Sequence, residues 1–365
     1  MSSFSIQSSS KSFILEAHLE SQSATSSDEN TPSEATGSTF PTTPSGPSQL
    51  SRPTLCIYSQ PTGRSDPILD NVVNLEHMEL LFHFIQAKDL FSLGGDRVAH
   101  EEHFTTSQIF ETCLQHPYLL HSILAFSARH LASIHPSKAA SYLHQAITLQ
   151  TRAVSLFNAT KAPITKKTCV PILLFSTVLG HQVLADTLCR RDAENLDAFL
   201  VQFVQCLDTL RGVYVIFKEA SPFWQETVLD HILSLSSALT SREPVGTRCQ
   251  RVKQLVNASP RLSLGDKEAC QVAIRYLQVG FDALLAGNEP KGNRYQMLFL
   301  WCILVPREFI ALISAKNTEA LVVLGHYAML LGYGRAMWQV EDAGEYMLGL
   351  LKADLDGKVD WDWVG

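Results

Sequence analysis

From Asn71 to the end of the chain, apolar residues recur at steps of three and four, a spacing that admits helices and little else. Leu75, Met78, Leu81, Phe82 and Ile85 set the period, following Asn71 and Asn74, both good helix-capping residues. Pro117 suits a first helical position, and Leu120, Ile123, Leu124, Ser127 and Leu131 then form an inner stripe that Pro136 ends. Tyr142, Ala146, Leu149, Ala153 and Leu156 mark the next helix. Further helical patterns cover 164–188, 195–218, 222–240, 265–286, 294–314, 317–333 and 335–353. No apolar run alternates with period two, and no Asn-Gly or Asp-Gly pair joins two such runs. Gly287-Asn288 and Lys291-Gly292-Asn293 read as a helix–helix loop. The helices of 117–158 make one hairpin, but their pattern does not return at a fixed period. The expected fold is therefore all-α, an irregular multi-helix domain rather than a solenoid.

Residues 1–68 are a different material. They are rich in Ser, Thr and Pro and lack apolar periodicity, so they cannot bury enough surface to offset their ordering entropy. The expected organisation is a disordered tail over 1–68 and a helical domain over 69–365. In the first 50 residues Lys11 stands against Glu16, Glu20, Asp28, Glu29 and Glu34, so the tail is acidic. The run from Ser12 to Glu20 mixes acidic and apolar residues; it reads either as an activation-type segment or as part of a solubilising tail.

Charge and cysteine spacing narrow the function. The formal charge is −7, and the basic residues come only in short knots: Lys166-Lys167, Arg190-Arg191, and Arg248 with Arg251 and Lys253. These read as solvated helix ends, and direct DNA binding is not expected, because duplex binding rests on clustered cations. Of the eight cysteines, no two lie closer than Cys189 and Cys206, so no local pair can present two thiolates to one zinc ion. Their apolar surroundings make them small hydrophobes in a reducing compartment. The 17 residues from Cys169 to Ala185 fall short of the ~20 a bilayer span needs, and they contain Pro171, His181 and Gln182. A buried core helix is expected there, in a soluble protein with no membrane span.

Catalytic patterns are missing: there is no nucleophile elbow, His-Glu-x-x-His pair, phosphate loop or dinucleotide fingerprint. Gly332-Tyr333-Gly334 reads as a helix end. His100 and His103 could share a helix face, but no third ligand is in view. His116, His121 and His130 read as capping or satisfied half-buried groups. No enzyme, metal or cofactor is expected. The densest aromatic region is near the C-terminus, where Trp301, Met329, Tyr333 and Trp338 are candidates to line an apolar ligand pocket. The same residues at helical spacing also make ordinary core, and the sequence leaves both readings open.

Three stretches carry a family resemblance. They are Leu75–Phe84 (LEHMELLFHF), His116–Ala132 (HPYLLHSILAFSARHLA) with Tyr142 and Gln145-Ala146, and Ala320–Leu331 (ALVVLGHYAMLL) with Trp338 and Trp361-Asp362-Trp363. Together they resemble the C-terminal regulatory domain of fungal zinc-cluster transcription factors, of the sterol uptake control type, from about residue 71 to the end. That family carries an N-terminal cluster in which six cysteines hold two zinc ions. Here the tail holds Cys56 alone, so the family's DNA contact does not carry over.

What the resemblance implies is an all-α regulatory domain that binds a hydrophobic molecule or a partner and often dimerises. The expected function is transcriptional regulation, of a secondary-metabolite or lipid gene cluster, without a zinc-cluster DNA contact. The expected partners are other transcription factors or co-regulators, a second copy in a homodimer, and a sterol-like or polyketide-like ligand. The nucleus is the expected location. The alternative is a cytoplasmic binding protein for a hydrophobic small molecule with no transcriptional role.

Overall fold

The computed structural model describes residues 74–87, 90 and 106–359, except 194, 226, 228, 288 and 290. The 1–68 tail, Cys56, His100, His103, Trp361 and Trp363 lie outside the described residues. Within them every regular element is a helix, in order α1 Leu75–Gln86, α2 Thr106–Gln115, α3 Pro117–Ile134, α4 Ala139–Thr160, α5 Cys169–Cys189, α6 Leu196–Ala220 and α7 Asp230–Thr240. There follow α8 Gln250–Ala258, α9 Leu264–Leu285, α10 Lys291–Arg294, α11 Met297–Leu304, α12 Arg307–Ser314, α13 Thr318–Gly332 and α14 Ala343–Asp354. The all-α expectation holds.

Local chemistry sets the starts. The side chains of Asn74, Asn195 and Asn317 each accept the amide of the residue three further on, at 3.0 Å, opening α1, α6 and α13. Ser263 and Asp266 form a reciprocal capping box at α9. Pro117 takes the first position of α3, as its fixed φ favours.

Two helices occupy the middle of the fold. In α3 every residue from Ser122 to Ala132 is buried, because α1, α2, α4 and α5 all pack on it. The inner stripe expected there is thus the visible part of a helix enclosed on all sides. One of its buried polar members finds its partner inside the fold: Arg129 clamps Asp186 of α5 through Nε–Oδ1 at 2.6 Å and Nη2–Oδ2 at 2.7 Å. Helix α13 is the second centre, with α8, α9, α11, α12 and α14 against it. Gly344 permits the close approach of α14, since a Cβ there would lie 2.4 Å from the Ala328 carbonyl oxygen and 2.9 Å from the Gly332 nitrogen. Lys316, between α12 and α13 with φ 54°, reaches Asp354 at 2.7 Å and Asp197 at 2.9 Å, tying α13 to α14 and α6.

Several expected boundaries move for identifiable reasons. The 164–188 helix starts at Cys169, because Thr168 Oγ1 donates to the Pro163 carbonyl at 2.6 Å and closes a turn. The 294–314 helix breaks before Pro306 into α11 and α12, which meet at 91°. Residues 334–342 are turns, so the 335–353 helix begins only at Ala343. The 222–240 helix begins at Asp230. Helices α2 and α8 answer to no expectation from the sequence, and Lys291-Gly292-Asn293, expected as loop, instead forms the single turn of α10.

Helix α5 also corrects the length argument about the membrane. It runs 21 residues, to Cys189, and with the 25-residue α6 it is long and apolar enough to cross a bilayer by length and composition. In the fold, 72% of the apolar window of α5 and 56% of that of α6 are buried against other helices.

Candidate functional site

The four aromatic and Met candidates are divided among different surroundings. Trp301 is fully buried on α11; its Nε1 donates to the Ala273 carbonyl at 3.0 Å. Its ring stacks on Tyr327 at 4.2 Å and 15°, and meets Phe309 edge-on at 5.9 Å. The Tyr327 hydroxyl donates to the Leu298 carbonyl at 2.8 Å and accepts from Cys302 Sγ at 3.0 Å. Burial pushes both the Tyr327 hydroxyl and the Cys302 thiol well above their ordinary pKa ranges. Ring and polar atoms of Trp301 are thus all engaged by core.

Trp338 sits in the 334–342 turns, stacked on His130 at 5.1 Å and against Phe126 at 5.2 Å. Tyr333 caps the end of α13, is 39% exposed, and touches Phe281 edge-on at 6.1 Å. Met329 is half-buried against the core. No ring contact joins Trp301, Tyr333 and Trp338 to one another among the described residues.

The histidines read from sequence find partners in the fold. His130 Nδ1 and His83 Nε2 lie 3.0 Å apart, and His121 Nδ1 bonds the Pro117 carbonyl at 2.8 Å. His116 precedes the first turn of α3 and leans on Tyr118. Desolvation holds His83 and His116 below the usual imidazole range. Among the described residues no group of three or more His, Cys, Asp or Glu side chains is arranged to hold a metal ion.

A cleft of about 700 Å³ lies elsewhere, between α8, the 259–261 connection, the start of α13 and residues 358–359. Its size falls within the range of small-molecule sites. Val252 and Val322, each 1% exposed, lie behind its lining, and the partly exposed Leu255 offers apolar surface to it. Arg251, Arg261 and Lys358 bring three cations to it, and Glu319 one carboxylate. Neither guanidinium has an ion-pair partner among the described residues, while Lys358 Nζ donates to the Asp354 carbonyl at 3.1 Å.

Glu319 is the unusual member, only 6% exposed. Its Oε1 accepts the Ser259 hydroxyl at 2.6 Å, and Ser259 Oγ in turn accepts the Arg261 amide at 3.2 Å. The other carboxylate oxygen, Oε2, is buried with no hydrogen-bond partner. Its place in the first turn of α13 suits a negative charge, although a buried oxygen without a donor carries a desolvation cost.

Sequence reading did not find this cleft. Arg251 belongs to a knot taken as a solvated helix end; Arg251 and Lys253 are indeed exposed on α8, and Arg251 also borders the cleft. Ser259 and Glu319 are 60 positions apart, and no local pattern joins them. The one available signal was the recurrence of unmatched cations at Arg248, Arg251 and Arg261 beside a short amphipathic helix. No family model matches the chain, and no curated protein matches it significantly.

Proposed function

We propose that the chain is a ligand-responsive regulatory domain that acts in transcriptional control through other DNA-bound proteins, without catalysis and without a zinc-cluster DNA contact of its own. The carrying observation is the 700 Å³ cleft, bordered by the partly exposed Leu255 and by the guanidinium groups of Arg251 and Arg261, which have no ion-pair partner among the described residues. A concave site of this size with a few polar groups suits a bound small molecule. The helical fold agrees with the family resemblance of the three sequence stretches, which supplies the regulatory and nuclear parts of the reading. In this reading α5 and α6 serve as core helices, and the protein spans no membrane. A homodimer and a sterol-like or polyketide-like ligand remain the partners that the resemblance suggests.

Two experiments test it. Thermal denaturation of the full chain against a hydrophobic and amphipathic metabolite collection should give at least one ligand that raises the midpoint, since binding only the folded form stabilises by mass action. The chain fused to a foreign DNA-binding domain should then change reporter output when that ligand is added. A ligand that binds while the reporter stays silent would favour a cytoplasmic binding protein. A collection that moves nothing would remove the ligand-responsive reading.

A further inference from the structure

We infer that α1 pairs with the α1 helix of a second copy of this chain, in antiparallel register, along an apolar stripe that the fold leaves uncovered. The pairing gives the homodimer named above a surface; it rests on that part of the reading alone and is tested without any ligand.

Helix α1 is apolar on two opposite sides. Leu80 and Phe84 are buried, each in one of the two apolar clusters of the interior. Leu75, Met78, Phe82 and Ile85 take the other side, are between 46% and 78% exposed, and pack against neither cluster among the described residues. These four set the helical period in the sequence, so the most regular apolar stripe of α1 is its outer face. A surface helix ordinarily turns polar residues to water, and one that is apolar all round is covered all round. The helix is also fixed in place: the Tyr142 hydroxyl of α4 donates to Glu79 at 2.8 Å, and His83 Nε2 bonds His130 Nδ1 of α3 at 3.0 Å. The stripe is therefore held in a set orientation, with little ordering left to be done on binding.

Spacing identifies the occupant. The four residues follow steps of three, four and three, the a and d positions of a heptad, by which one helix packs along another. Set antiparallel to a second copy, a meets d: Leu75 lies against Ile85 and Met78 against Phe82. The contact is the same seen from either copy, as a two-fold interface requires, and a thioether against a phenyl ring is a favourable pair. The flank agrees. Glu79 and Gln86 border the stripe on one side, and the antiparallel pair sets Glu79 of each copy beside Gln86 of the other. A parallel pair would bring both acidic N-terminal halves, with Glu76 and Glu79, to one end and align the helix dipoles. A lipid surface is a poor match, since helices that lie on membranes carry Lys and Arg on their polar side and α1 has neither. Nor does the rim select a charged peptide: the Glu79 carboxylate is turned to Tyr142, and Glu76 lies far round the helix from the stripe. Four side chains from each copy bury less than the ~1,200 Å² of stable complexes, so the association is reversible and depends on concentration.

The test is sedimentation velocity of the full chain over a hundredfold range of concentration, in a reducing buffer that keeps the exposed Cys189 from forming disulfides. Circular dichroism checks the fold of each variant. The wild type should pass from monomer to dimer within that range. Phe82→Lys and Met78→Glu change exposed residues only, so each should fold as the wild type and raise the dissociation constant at least tenfold. An equimolar mixture of the two variants should recover to within fivefold of the wild type. In the antiparallel register the introduced lysine of one copy meets the introduced glutamate of the other, while the second contact stays Met78 on Phe82. A wild type that is monomeric throughout overturns the inference. If that monomer floats with phosphatidylcholine vesicles, the stripe belongs to a lipid surface; if Phe82→Lys makes residues 1–68 easier to cut by protease, it belongs to the chain's own tail. A dimer indifferent to both variants uses another face, and variants that dissociate without recovering in the mixture lack the antiparallel register; either result overturns the inference. None of these outcomes bears on the cleft, which the metabolite screen judges separately.

Discussion

Trp301 offers the most decisive single perturbation, because its two sequence readings predict opposite outcomes. Replacing it with alanine removes a fully buried indole that stacks on Tyr327 at 4.2 Å and donates to Ala273 at 3.0 Å. Truncating a buried large aromatic costs about 3–5 kcal/mol through lost transfer energy and the void left behind. The lost hydrogen bond adds about 1 kcal/mol, and the Ala273 carbonyl stays within its helix, so little further penalty follows. A total of about 4–6 kcal/mol is comparable to the whole stability of many domains. Trp301→Phe keeps the larger part of the stacking surface and should cost about 2 kcal/mol, from the hydrogen bond and the smaller ring. The assay is urea denaturation at 25 °C followed by far-ultraviolet circular dichroism, which does not depend on the tryptophan being replaced. If Trp301 instead lined an open ligand cavity, its truncation would enlarge a void that already exists, at little cost in stability. A loss under about 1.5 kcal/mol for Trp301→Ala, with an unchanged denaturant slope, would therefore refute the core assignment.

Asp186→Asn should cost about 3 kcal/mol in the same assay, because it leaves the buried guanidinium of Arg129 without its counter-ion; a loss below 1 kcal/mol would show the pair to be inessential. Gly344→Ala should cost at least ~2 kcal/mol, since the new Cβ meets backbone of α13, whereas Gly349→Ala on the same helix meets nothing within 4 Å and should stabilise by about 0.5–1 kcal/mol. Equal effects at the two glycines would contradict the α13–α14 packing. Burial holds His326 at a pKa of about 4 against an ordinary 6.5, with Nδ1 on the Val322 carbonyl at 2.9 Å. Its folded value is depressed, so its contribution is complete above pH 6.5 and is lost as pH falls toward 4, by about 2 kcal/mol at pH 5. His326→Asn should flatten the stability profile between pH 7 and pH 5 by that amount, and a variant whose profile parallels the wild type would contradict it.

The sequence alone determined the class of fold and the positions of most helices, because apolar spacing and capping chemistry are local. Asn74, Pro117 and Asn317 sit at or within one residue of the helix starts they announce, and each acts through atoms within a few residues of itself. The buried face of α4 was largely legible, since it packs on one side: Tyr142, Ala146, Leu149 and Ala153 are buried, while Leu156 is half-buried. Helices enclosed on every side were read less well. In α3 and α13 polar and apolar residues alike are inside, so periodicity reports only part of the contact surface. His130 reads from sequence as a capping or half-buried histidine and Arg129 carries no local signal of burial; only the fold brings His83 and Asp186 to them from other helices.

Only the tertiary structure decided where a ligand could go. Composition concentrated attention on Trp301, Met329, Tyr333 and Trp338, yet a tryptophan that lines a cavity and one that fills a core have the same sequence signature. What separates them is whether another helix arrives to take the ring, and α9, α12 and α13 do so at Trp301. The cleft came instead from α8, the Ser259 turn and the first turn of α13, whose residues are brought together by packing across 60 positions of chain. Local sequence governs local backbone, so it could state that Glu319 opens a helix; that one oxygen of its carboxylate is buried without a donor depends on neighbours that only the completed fold supplies.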